Sequence, residues 1–190
     1  GGNTGVRYYL SGGALSQDGL RMGSSYNKVF GRINLDAKLN EWVRANINTQ
    51  VSYDATRVSP FGNNNAVGGG LAAMNAPFAS PYDPNTGKEL VRVPLLDIAT
   101  PSHVIETNPA KTNNFILSTN GNLTITPLKN LTLRSLIGLE LDYGNSRSRT
   151  LPSYYRAYGN GSSERSFSMA SNITITNTAS YNMTFGDHHL

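Results

Sequence analysis

The sequence predicts an all-β fold, an antiparallel segment of a transmembrane β-barrel with long extracellular loops. Three observations predict it. Apolar and polar residues alternate at period two. The alternating runs last about 12 residues or more, roughly twice a globular strand. The connections between runs are short and long in turn, as periplasmic turns and extracellular loops are in outer-membrane barrels.

The elements follow in order. A strand near 5–15 is the least regular. The second, 25–39, sets Val29, Gly31, Ile33, Leu35, Ala37 and Leu39 against Lys28, Phe30, Arg32, Asn34, Asp36 and Lys38. The third, 42–54, sets Val43, Ala45, Ile47, Thr49, Val51 and Tyr53 against Arg44, Asn46, Asn48, Gln50, Ser52 and Asp54. A long extracellular loop, 55–111, comes next. It carries Gly68-Gly69-Gly70, Pro77, Pro81, Pro84 and Pro94, and a short helical turn fits Leu71 to Asn75 before Pro77 stops it. Strands resume over 112–126, 130–143 and 165–185. There Phe115, Leu117, Leu123 and Ile125, then Leu131, Leu133, Ile137, Leu139 and Leu141, then Phe167, Met169, Ile173, Ile175, Tyr181, Met183 and Phe185 mark the apolar face. The tight turns are Leu39 to Trp42, Pro127 to Asn130 and Gly186 to His188. The longer links are 16–25, 55–112 and 144–164.

Every charge within the regular windows 28–39, 43–54, 114–126, 131–142 and 166–185 falls on the polar face: Lys28, Arg32, Asp36, Lys38, Arg44, Asp54, Arg134, Glu140 and Asp142. A charge on a lipid-facing side near the midplane costs about 2–4 kcal/mol, which accounts for that distribution. Trp42, Tyr26, Tyr53, Tyr143, Phe167, Tyr181 and Phe185 cluster near strand ends, where rings with a polar tip suit a lipid–water boundary. Aromatics at the edge of a soluble core would look the same. Alternation alone also fits a soluble β-sandwich; strand length, aromatic placement and the density of Asn, Ser, Thr and charge on one face favour the membrane.

Composition sets further bounds. Only 15% of the 190 residues are charged, and the net charge of +4 is too scattered to indicate nucleic acid. The absence of cysteine excludes disulfides, thiol catalysis and zinc knuckles. No apolar run is long enough for a membrane-spanning helix. Gly1-Gly2-Asn3-Thr4 lacks the features of a signal peptide, so a fragment or a processed chain is expected. His103, His188 and His189 show no metal-ligand spacing. Asp83-Pro84-Asn85-Thr86-Gly87 is read as a turn rather than a calcium loop. No nucleophile elbow, P-loop or carboxylate pair appears, so no enzyme, cofactor or metal site is expected.

Tyr8-Tyr9-Leu10-Ser11-Gly12-Gly13 followed by Gln17-Asp18-Gly19 resembles the SusC/RagA family of TonB-dependent outer-membrane transporters of Bacteroidota. So do Gly31-Arg32-Ile33-Asn34-Leu35-Asp36, the loop piece Leu71 to Pro77 with Tyr82-Asp83 and Gly87-Lys88, and Ser180-Tyr181-Asn182 ending in Phe185-Gly186-Asp187-His188. The resemblance covers nearly the whole chain. It implies a 22-stranded barrel in the cell outer membrane, of which this chain supplies six to seven strands, without plug domain, TonB-contacting segment or closing strand. It implies active uptake of large nutrients, glycans or oligopeptides. The expected partners are the remaining barrel and plug, a SusD-like surface lipoprotein, TonB through the missing N-terminal region, and outer-membrane lipid. The polar face then offers Arg32, Asp36, Arg44, Arg134 and Glu140 to the plug or to a polar solute in the lumen. The long loop, with Asn75, Tyr82 and Asp83, is the candidate contact for lid or cargo, or else a passive surface loop. A secreted adhesin or glycan-binding sandwich and a passive porin are the rival readings.

Overall fold

A computed structural model describes residues 1–20, 22–58, 80–93, 98–185, 188 and 189. The chain runs β1 (Val6–Asp18), β2 (Ser25–Lys38), β3 (Val43–Val58), β4 (Arg92–Val93), β5 (Ile98–Ala99), α1 (Pro101–Thr107), β6 (Ala110–Leu128), β7 (Leu131–Thr150), β8 (Ser162–Tyr181), β9 (Thr184–Phe185) and β10 (His188–His189). β1, β2, β3, β6, β7 and β8 form one six-stranded sheet in that order. Every pairing in it is antiparallel. β4 pairs with β5, and β9 with β10.

Register carries the alternation across the whole sheet. Leu10, Ile33, Thr49, Thr119, Leu139 and Ile173 form one continuous row. The next row, on the opposite face, joins Ser11, Arg32, Gln50, Ser118, Glu140 and Asn172. A slip of one residue at any hairpin would put a strand's apolar side chains among its neighbour's polar ones, so pattern and register specify each other. The ladder breaks register once, between Ile125 and Leu128. Pro127 lies there and has no N–H to give.

The strands outrun their regular windows. β3 continues to Val58, β6 starts at Ala110, and β7 reaches Thr150 opposite Ser162 of β8. Beyond the windows the apolar face turns polar, so hydrophobic periodicity fades. The backbone ladder does not need it and goes on.

No apolar core lies within the sheet. Among the described residues the buried hydrophobics are Val93, Ala99 and Val104, all outside the six long strands. Ala99 and Val104 form a small cluster in the connection between β3 and β6, with Tyr154 and Tyr155 packed on it. α1 opens with Pro101, whose fixed φ suits a first helical position. Its N-cap Thr100 makes no side-chain cap. That hydroxyl instead donates to the Leu90 carbonyl at 2.6 Å. α1 leaves no periodic signal in the sequence, because seven residues are too few to show a 3.6 period. The helical turn expected over Leu71 to Asn75 lies outside the described residues.

The links on one rim lean on each other. Leu151 donates its N–H to the Thr107 carbonyl at 2.8 Å. Gly23, at φ +78°, lies against Ile105; a Cβ there would come within 2.6 Å of Ile105 Cγ2. The β1–β2 link, the β3–β6 link and the β7–β8 link therefore meet around α1.

Candidate functional site

The polar face is the first candidate surface. Arg32 and Glu140 share one row but stand three strands apart, roughly 14 Å at about 4.8 Å per strand. Arg32 bends to its own strand, and its Nε donates to Asn34 Oδ1 at 3.1 Å. Asp36 lies opposite Arg7, whose guanidinium is 3.8 Å away with both side chains largely in solvent. Such an exposed pair contributes about 1 kcal/mol at most. Arg44 and Arg134 flank Thr124 on adjacent strands, and Arg44 also lies opposite Lys38. Like charges placed so destabilise the sheet unless an acidic surface faces them. Asp54, buried on this face, accepts from Asn114 Nδ2 at 3.0 Å. Phe30 also lies on this side. It covers Gly13, where a Cβ would lie 2.6 Å from the ring.

The apolar face is the second. Ile33, Ile47, Leu133 and Ile175 are 53%, 47%, 38% and 63% exposed. They are large aliphatic side chains that no described element covers. Thr49 and Thr119 interrupt the face, directly opposite each other, and their hydroxyls pair at 2.8 Å. Tyr53, Phe115 and Tyr143 form an aromatic row across β3, β6 and β7, with Phe167 beside Tyr143. Tyr26 does not join them. It pairs with Gln17 and Thr56 and so belongs to the polar face, because its place in the strand is even.

The third surface is the rim of long links. Tyr82 is exposed and bridges to Glu89. Asp83 is built into a turn: its Oδ1 accepts N–H groups from Asn85 at 2.7 Å and Thr86 at 3.2 Å, and Gly87 closes the turn at φ +65°. Those backbone hydrogen bonds hold its carboxyl below the usual carboxylate range. Asn75 lies outside the described residues. His103 stacks on Tyr154 with ring centroids 5.9 Å apart, and burial lowers its basicity while Glu106 opposes that. Its Nε2 is buried without a partner among the described residues.

No protein-family profile and no curated protein matches the chain. Solved structures do. A chain of the RagAB peptide importer in its closed-closed state matches with a TM-score of 0.82 at 23% identity, over 97% of this chain and 21% of that one. The open-open state gives 0.84 at 23% identity, over 98% and 21%. The RagAB peptide transporter gives 0.84 at 24% identity, over 98% and 22%. The chain has the fold of a slice of RagA barrel wall. It spans about a fifth of those solved chains.

On that wall, sequence reasoning placed the charges of the regular windows on one face, and the register keeps them together. It missed Arg7, because β1 alternates poorly: Tyr9 and Leu15 sit on the polar face beside Arg7, Ser11 and Gln17. It also missed the charges beyond the windows, on the apolar side of the wall, where the strands run on. Among the described residues no group of three or more His, Asp or Glu converges as a metal site. The solved neighbours are transporters.

Proposed function

We propose that the chain is part of the wall of an outer-membrane transporter that imports large nutrients, glycans or oligopeptides, driven through TonB. The observation that carries this is the uncovered aliphatic face of a single sheet, led by Ile33, Ile47, Leu133 and Ile175. In water that face would be a severe liability. In lipid it is the required surface. From Val43 to Tyr53 it rises roughly 24 Å, at about 3.4 Å per residue and a tilt of about 45°, against an apolar band of about 25 Å in such barrels.

The polar face then looks into the lumen. Lys38, Arg44 and Arg134 lie toward the short-turn rim, where a plug would meet them with acidic groups. Arg32, Asp36 and Glu140 are left for the plug or for polar cargo. The rim of long links faces outward, and the loop bearing Asn75, Tyr82 and Asp83 meets a SusD-like lipoprotein or the cargo it delivers. The likeness to a peptide importer favours a peptide cargo over a glycan.

The experiment uses the full-length protein in cells. These 190 residues contain no cysteine, so in a full-length protein with any cysteine elsewhere replaced by serine, single cysteines placed here can be read one at a time. Gln50→Cys should react with a membrane-impermeant maleimide through the pore, and Ile47→Cys only with a lipid-soluble one. Equal labelling of both from water would sink the wall reading. Uptake that persists after the inner membrane is de-energised would assign the wall to a passive pore instead.

A further inference from the structure

The apolar face ends, at the rim of long links, in a row of like charges. Arg57 lies opposite Lys111, Lys111 opposite Arg147, and Arg147 opposite Arg165. Their strand positions share the parity of Ile47, Leu117, Ile137 and Ile175, so they stand on the side proposed above to meet lipid; the inference rests on that reading. Arg149 adds a charge one step higher on β7. Among the described residues none of these cations has a carboxylate at ion-pair distance. Asp18 is at the same level but separated from Arg57 by Ser25. Arg165 is engaged otherwise: its guanidinium lies 4.7 Å over the Phe167 ring, and its Nε donates to Asn145 at 3.3 Å. Arg57, Lys111, Arg147 and Arg149 line a groove of about 400 Å³, with Ser25 and Asn27 beside them.

Like charges directly opposite on neighbouring strands repel. A continuous row of them is a stable surface only with anions laid along it. The height of the row says which anions. The aromatic row of Tyr53, Phe115 and Tyr143 lies four residues nearer the middle of the sheet. At about 3.4 Å per residue and about 45° tilt, the cations stand roughly 10 Å above the rings. Rings of this kind mark the edge of the hydrocarbon, and the headgroup layer beyond it is about 5–7 Å thick. The backbone of the row therefore stands a few ångström beyond that layer, and its long Arg and Lys side chains reach back down to the phosphates of the outer leaflet, with apolar strand surface below for acyl chains.

We propose that this row is a docking site for phosphorylated lipid headgroups, with Arg57, Lys111 and Arg147 as the phosphate ligands and Arg149 closing the groove from above. Arg is suited to the task because its planar fork meets phosphate through two hydrogen bonds. A free phosphate would satisfy the charges but leave the apolar surface beneath unused.

The test uses the full-length protein in detergent, with phosphatidic acid, diacylglycerol of the same acyl chains, and inorganic phosphate as probes. Native mass spectrometry should show phosphatidic acid retained and diacylglycerol lost. The triple variant R57Q/K111Q/R147Q should weaken phosphatidic acid binding about a hundredfold, at about fivefold per charge. Arg147→Gln alone should weaken it about fivefold, which keeps the test open if the triple variant folds poorly; a Lys129→Gln control on the other rim should change nothing. Equal retention of the two lipids, or unchanged binding in Arg147→Gln, overturns the proposal. Inorganic phosphate binding as tightly as phosphatidic acid overturns the lipid as occupant. If Ile47→Cys stays shielded from aqueous reagents while the lipid arms fail, the wall reading stands and this site falls.

Discussion

Thr49 and Thr119 show how a single pair of residues can suit an apolar surface. Each brings a hydroxyl onto a face of aliphatic side chains, where an unpaired donor is costly. Register puts them opposite each other, and the hydroxyls satisfy one another at 2.8 Å. Thr49→Val should therefore destabilise the folded protein in lipid by about 1 kcal/mol, because it strands the Thr119 hydroxyl. The double variant T49V/T119V should recover most of that loss. Equilibrium unfolding in lipid vesicles, read as a double-mutant cycle, checks it; a coupling near zero would mean the two hydroxyls act alone. At this scale the sequence was legible where the alternation was strict, and Thr49 counted correctly with the apolar residues. It was not legible for Tyr26, whose side is fixed by counting along a strand that starts outside the regular window.

Elements were legible in proportion to their repetition. β2, β3 and β7 offer five or more turns of alternation each, and each appears as a strand. α1 offers about two helical turns, and what holds it is tertiary: Val104 buried against Tyr154 and Tyr155, with Thr107 buried beside them. Its one local cue is Pro101 at the start. The helix also carries a titratable ring in its packing. His103 is pushed below its ordinary value of 6.5 by burial. A depressed group contributes its full stabilisation above the unfolded-state value and loses it as pH falls through the folded-state value. Amide protection at Val104 and Asn108 should therefore decline on acidification below about pH 6.5. His103→Phe should remove that dependence while keeping the ring stack. A pH response that survives the substitution would place its origin elsewhere.

For the whole molecule, the two faces of the sheet ask for different surroundings. Ile47→Lys should cost about 2–4 kcal/mol of folding stability in lipid, and Gln50→Lys on the opposite face should be close to neutral. Folding titrations in vesicles check the contrast, and similar losses for both would contradict a two-sided wall. Among the described residues β1 and β8 each pair on one side only, so the sheet has two open ladders there. In the proposed wall, lipid would leave their N–H and C=O groups unsatisfied, so that reading requires neighbouring strands at both edges. The two-faced sheet could be read from the residues, since alternation is local. The strand number and tilt of the proposed barrel could not, because both depend on non-local pairing that alternation does not report.

The meeting of three links around α1 has a mechanical consequence. Ile105 seated on Gly23, and Val104 under Tyr154, act as a clasp between hairpins that are far apart along the chain. A trypsin cut after the exposed Lys88 should therefore leave two pieces that migrate as one body until denaturant parts them, whereas the same cut in Val104→Ala should release the severed end to further digestion. A load applied to that helix would be shared by three hairpins at once, which makes the described part of this rim a single handle rather than a fringe of separate links.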